Sequence, residues 1–165
     1  MALGTTAALS RPSDPPAAVI DARTPISFLG VGPVRVGMSL KELRSAVHAL
    51  EVEPELTPGC TYATPRTSGG DLSFMLSGDV VARVDVSKRG FRTRSGARIG
   101  DSEDRIKELY RGRVEVSQHA YANGHYLTVH SEDRRYAVVF ETDGKVVTSF
   151  RIGRLPEVLY IEGCA

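Results

Sequence analysis

Hydrophobic positions repeat with two periods along this chain, and the change from one period to the other happens twice. In the first instance Ser39 and Glu42 form an S-x-x-E capping pair, and Leu40, Leu43, Val47 and Leu50 then fall on one helical face. This predicts a helix over about 40–49. In the second, Asp101 or Ser102 caps, Glu103 and Asp104 occupy the first turn, Ile106, Leu109 and Tyr110 make the apolar stripe, and Gly112 closes it. A helix over about 102–111 follows. After each helix the period falls to two, the mark of half-buried strands. Leu72–Leu76 and Val80–Val86 flank Ser77-Gly78-Asp79, Val114–Tyr121 and His125–His130 flank Asn123-Gly124, and Tyr136–Glu141 and Val146–Ile152 flank Asp143-Gly144. Asn-Gly and Asp-Gly favour tight hairpin turns. A last strand is expected over Glu157–Ile161, after Pro156.

The two helix starts also match as text, Val34-Arg35-Val36-Gly37-Met38-Ser39 against Ala97-Arg98-Ile99-Gly100-Asp101-Ser102, which reads as an internal duplication. The expected fold class is therefore α+β, two tandem helix-plus-antiparallel-sheet units, repeat one over about 30–94 and repeat two over about 95–165. Two short helices cannot cover both faces of so many strands. Both are expected on one face of a single sheet, with the other face open as a binding surface. Residues 1–26, rich in Ala, Thr, Ser and Pro with Pro12, Pro15 and Pro16, read as a flexible tail before a single domain over 27–165.

Length agrees with one domain, since 165 residues stand against a norm of roughly 150. The net charge of +1 gives no field to draw in nucleic acid, and no apolar run reaches the roughly 20 residues of a membrane span. Cys60 and Cys164 lie in no CxxC or zinc spacing. Two readings stand for them, a disulfide in an exported protein or two buried thiols in a cytosolic one, and the bridge is favoured because Cys164 would otherwise end a fraying strand. Met1–Ile20 does not read as a signal peptide, because no Lys or Arg precedes its apolar stretch and Gly4, Thr5 and Thr6 interrupt it. The expectation of a periplasmic or extracellular location rests on the cysteines, with any signal or lipid anchor outside this chain.

The duplicated start, Gly37-Met38-Ser39 with Leu43 and Gly100-Asp101-Ser102 with Ile106, resembles the β-lactamase inhibitor protein fold and is similar to the SmpA/OmlA type of small envelope lipoprotein. The likeness extends over most of 30–152 and reports mainly a turn and a cap. It implies an exported protein that binds other proteins, as inhibitor or as part of an envelope assembly, with no shared catalytic centre. The chain departs from the inhibitors in having one possible disulfide between its halves instead of one in each repeat. Their enzyme-contacting residues find no match here, so inhibition of a β-lactamase is not expected.

Candidate chemistry gathers at 119–130. A two-residue turn at Asn123-Gly124 would pair Tyr121 with Tyr126 and His119 with Thr128, placing His119, Tyr121, Tyr126, Thr128 and His130 on one face and His125 on the other. That set is the candidate partner-binding patch, amphipathic rings being favoured at interfaces. His119 and His130 would be diagonal neighbours, but spacing supplies no third ligand and no metal or cofactor is expected. A basic run of Lys88, Arg89, Arg92, Arg94 and Arg98 forms a second, weaker patch whose plainer reading is a solvated connector. Glu51, Glu53 and Glu55 read as a solvated loop. No G-x-S-x-G or P-loop is present. The function expected is a non-catalytic binding or inhibitory module, with a small hydrolase using His with Cys or metal, or a small-ligand or glycan binder, as alternatives.

Overall fold

The computed structural model describes residues 17–55 and 57–164. Three two-residue strands, β1 (Ile26–Ser27), β2 (Gly30–Val31) and β3 (Val34–Arg35), make a small antiparallel sheet ahead of helix α1 (Leu40–Ala46). Then come β4 (Leu50–Val52), β5 (Cys60–Pro65), β6 (Leu72–Ser77) and β7 (Val80–Val86). Helix α2 (Glu103–Leu109) leads into β8 (Val114–Gln118), β9 (His125–His130), β10 (Tyr136–Thr142) and β11 (Val147–Arg154). The last eight strands form one antiparallel sheet in the order β4-β5-β6-β7-β11-β10-β9-β8. The chain closes with a 3-10 turn, Glu157–Leu159, and an irregular segment to Cys164.

The expected α+β class of two tandem helix-plus-sheet units is corrected: the molecule is mostly β. Each helix has seven residues, and the strands outnumber what periodicity had indicated. Helix α1 stops at Ala46 because Val47 turns extended and bridges in parallel to Ala18. Glu51 lies in β4, not in a loop, paired with Thr64. Residues 17–26, expected in the tail, pack on the body: the Ala18 amide donates to Ala46 and Ile20 is fully buried. Residues 1–16 lie outside the described residues.

Both helix starts use the same local device. Gly37 and Gly100 adopt φ of 97° and 96°, a region that side chains other than glycine's rarely enter. The Gly37 amide donates to Val81 and that of Gly100 to Val147, while Val81 and Val147 donate back to Met38 and Asp101. Ser39 and Ser102 then cap their helices, Ser39 in a full capping box with Glu42. Each helix buries one residue completely, Leu43 and Ile106. They meet an apolar sheet face that carries Leu72, Phe74, Val84, Leu127, Val129, Val138, Phe140, Phe150 and Ile152.

The other face was expected to be open, but the C-terminal segment crosses it. Val158 packs with Tyr126, Ala137 and Val139, and Cys164 packs with Met75 and Ala82. The expected strand at 157–161 does not form. Its main-chain carbonyls are taken by side chains of the sheet instead of by a neighbouring strand.

Candidate functional site

The second face is assembled from residues that alternate with the apolar core. On β7 these are Arg83 and Asp85, on β11 Ser149 and Arg151, on β10 Glu141, and on β9 Tyr126, Thr128 and His130. Register places Asp85 opposite Arg151 and Glu141 opposite both Ser149 and Tyr126. Both arginines are buried, at 3% and 5% exposure, and charges so placed are held only with partners.

Every nitrogen of Arg83 donates. Its Nε donates to Asp85 at 2.9 Å, its Nη1 to the carbonyls of Glu157 and Tyr160 at 3.2 and 2.7 Å, and its Nη2 to Tyr62 Oη at 2.9 Å. Arg151 Nε donates to the Val158 carbonyl at 2.7 Å and its Nη1 to Glu141. Two strands thus reach up and hold three carbonyls of one segment. Burial pushes the Asp85 carboxyl above its usual range, against the pull of Arg83 and Arg151. Burial, reinforced by Asp85, likewise raises the Tyr62 phenol, which keeps it neutral as an acceptor for Arg83.

The segment's far end is held covalently. Cys60 on β5 and Cys164 form a disulfide with Cα atoms 5.3 Å apart, and Thr57 Oγ1 donates to the Cys164 carbonyl at 2.9 Å. With both sulfurs in the bridge, no thiol remains for a Cys-His nucleophile.

The five candidate residues are brought to this face unevenly. In the register observed, Gln118 pairs with His125, Ser117 with Tyr126 and Glu115 with Thr128. The predicted pairings of Tyr121 with Tyr126 and His119 with Thr128 therefore do not form, because residues 119–124 make a loop closed by the His119 amide on the Gly124 carbonyl. That loop folds over the second face. The His119 ring stacks on Tyr126 at 4.5 Å between centroids, its Nε2 lies 3.7 Å from Glu141, and Arg151 sits 5.8 Å from the Tyr126 ring on the way to Glu141. Tyr126 is buried, whereas Tyr121 is 71% exposed and its hydroxyl donates to Glu162 of the crossing segment. That bond to a carboxylate holds the Tyr121 phenol proton more firmly than usual. Thr128 and His130 lie further along β9, where His130 Nε2 is 3.4 Å from Glu115. His125 is on the helix side, its Nδ1 2.7 Å from Glu103. Burial opposes ionisation of Glu103, but hydrogen bonds with Thr142 and His125 outweigh it and hold the carboxyl below its usual range.

The basic run is dispersed. Lys88 pairs with Asp71, Arg98 with Asp101, and Arg89 lies against Gly100, while Arg92 and Arg94 are exposed. Among the described residues no three His, Cys, Asp or Glu side chains converge to hold a metal, and no helix is long and apolar enough to cross a membrane.

Chemically, the polar layer is a clamp. All three nitrogens of Arg83 are turned to internal acceptors beneath the segment. The accessible chemistry lies on the outer side of what it holds: Leu159, Tyr160 and Ile161 are 44%, 46% and 43% exposed, beside Tyr121. Sequence reading missed Arg83, Asp85, Glu141 and Arg151. For Arg83 and Asp85 the signal was opposite charge at alternate positions of a strand otherwise apolar, Val80–Val86.

The fold and this surface define a mostly β protein with an eight-stranded antiparallel sheet closed by its own C-terminus. No protein-family model matches the chain, and no curated protein matches it. Among solved structures, the crystal structure of the uncharacterized protein yfeY from Escherichia coli is similar, with a TM-score of 0.52 at 14% identity, over 79% of this chain and 99% of that one. At that identity the likeness concerns the fold alone.

Proposed function

We propose that the protein is an exported, non-catalytic binding or inhibitory module that recognises a protein partner through the outer surface of its C-terminal crossing. The observation that carries this reading is the run of exposed Leu159, Tyr160 and Ile161, with exposed Tyr121 bonded to the next residue, Glu162. Large apolar groups gathered on one surface mark interaction sites more often than scattered ones do, and tyrosine is favoured there. The patch is held on a support that costs little to order on binding, because the disulfide and two arginines already fix it. Export is supported by the disulfide, which oxidising compartments preserve.

The test compares the immobilised protein with a variant carrying Tyr121→Ser, Leu159→Ser, Tyr160→Ser and Ile161→Ser. Proteins retained from an envelope extract are identified by mass spectrometry. A defined partner kept by the original and lost by the variant, with the variant's disulfide and circular dichroism unchanged, is the expected result. Equal retention by both removes this surface from the account.

A further inference from the structure

We propose a second binding site, on the opposite side of the sheet, for a small monocarboxylate with an apolar body of about six carbons. A cleft of about 120 Å³ opens at the end of the apolar face, lined chiefly by Ile26, Phe28, Thr93, Arg94, Tyr110, Val138 and Ile152. An apolar cavity of about 150 Å³ accommodates benzene, which sets the size of the occupant. The walls are fixed by main-chain bonds: Ile26 donates to Arg92 at 3.1 Å, Arg94 donates to Ile26 at 2.8 Å, and Thr93 donates to Ala97 at 2.9 Å.

Two polar features single out a carboxylate from a plain hydrocarbon. Thr93 and Tyr110 are both buried, with hydroxyls 3.0 Å apart, and Thr93 Oγ1 also accepts from the Ala97 amide. Two hydroxyls carry two hydrogens, and the single bond between them uses one. No acceptor among the described residues takes the other, so the cleft wall has a spare donor, and a buried donor without a partner is costly. At the mouth, exposed Arg94 belongs to none of the ion pairs found among the described residues, unlike its neighbours Lys88 and Arg98. An acceptor-bearing anion with a short apolar tail satisfies the wall, the mouth and the cleft together.

The test titrates the intact, oxidised protein with hexanoate and with hexan-1-ol and follows the methyl signals of Ile26, Val138 and Ile152 by NMR. Saturable shifts with hexanoate, at an affinity at least about tenfold above that for hexan-1-ol, are expected, as a charge-assisted bond is worth about that factor. Arg94→Gln, at an exposed position, should weaken hexanoate by a similar factor and leave hexan-1-ol unchanged. Absence of saturable shifts at these methyls overturns the proposal. So does equal affinity for acid and alcohol, or an Arg94→Gln protein that binds hexanoate as before.

Discussion

On one face of the eight-stranded sheet Phe74, Phe140, Phe150 and Ile152 meet two short helices and the N-terminal strands; on the other, at intervening positions of the same strands, Arg83, Asp85, Glu141 and Arg151 meet the chain's own C-terminus. Both faces are covered, but by different physics. The first is closed by burial of apolar surface, which is non-directional and tolerates whatever fits. The second is closed by directed, charge-assisted bonds to main-chain carbonyls and by a disulfide, which admit only one path for the segment. A polar face on a strand is therefore no sign of an open face.

The largest effects should come from breaking either face at its centre. Phe140→Ala should cost about 3–5 kcal/mol by urea denaturation, the usual range for emptying a buried ring. Arg83→Ala should cost about 3–5 kcal/mol as well, because the Glu157 and Tyr160 carbonyls lose a buried donor and half-buried Asp85 loses its partner. The two separate in hydrogen exchange: Phe140→Ala should speed the core strands, and Arg83→Ala should release 157–164 first. Next comes Cys60→Ala with Cys164→Ala. Opening a link across 104 residues should cost about 2–5 kcal/mol, read as a lower urea midpoint with exchange faster in the C-terminal segment.

Smaller effects sharpen the contrast. Ser39→Ala and Ser102→Ala each remove a cap on the helix side, worth about 0.5–2 kcal/mol. They should lower the thermal midpoint without freeing the segment. The smallest effect is that of pH. Glu103 on the helix side and Glu157 in the segment have carboxyls held below the ordinary range, burial being outweighed by hydrogen bonds from Thr142 and Arg154 respectively. Their folded forms bind fewer protons than the unfolded chain, so their contribution is present above the unfolded pKa and is lost as pH falls through the lowered folded value. Asp85 works in the opposite sense, since its raised pKa favours the folded state at the acid end. Glu103→Gln and Glu157→Gln should each flatten the acid limb of stability, and Asp85→Asn should steepen it, measured as urea midpoints between pH 3 and pH 6.

The apolar face was legible because its strands announce themselves. Val80–Val86 was expected and observed over the same residues, helix α1 starts at the serine whose spacing to Glu42 marks a cap, and α2 is capped by Ser102, one of the two residues offered for it. β4 was hidden behind Glu51, Glu53 and Glu55, which read as a solvated loop although Glu51 pairs with Thr64 and Val52 with Ala63 of β5. The register of β8 with β9 was misplaced because Asn123-Gly124 suggests a two-residue turn, whereas His119 stacking on Tyr126 makes residues 119–124 a loop. Of the candidate site, Tyr121 is on the exposed patch, but Tyr126 lies beneath it, and Leu159, Tyr160 and Ile161 went unnoticed in an expected strand. That Arg83 and Arg151 hold the C-terminal segment was unreadable for a plain reason: what they grip there are carbonyls, which every residue has, so no side chain of the segment signals the match.

The closure of the second face is tested most directly by mapping which arginines of the oxidised, native protein react with a dicarbonyl reagent, peptide by peptide in a mass spectrometer. Exposed Arg92, Arg94 and Arg98 should be labelled quickly, while Arg83 and Arg151 stay protected until the disulfide is reduced and the segment lifts. Labelling of Arg83 and Arg151 at the rate of Arg92 before reduction would contradict the account, and would mean that the face beneath the C-terminus is open in solution.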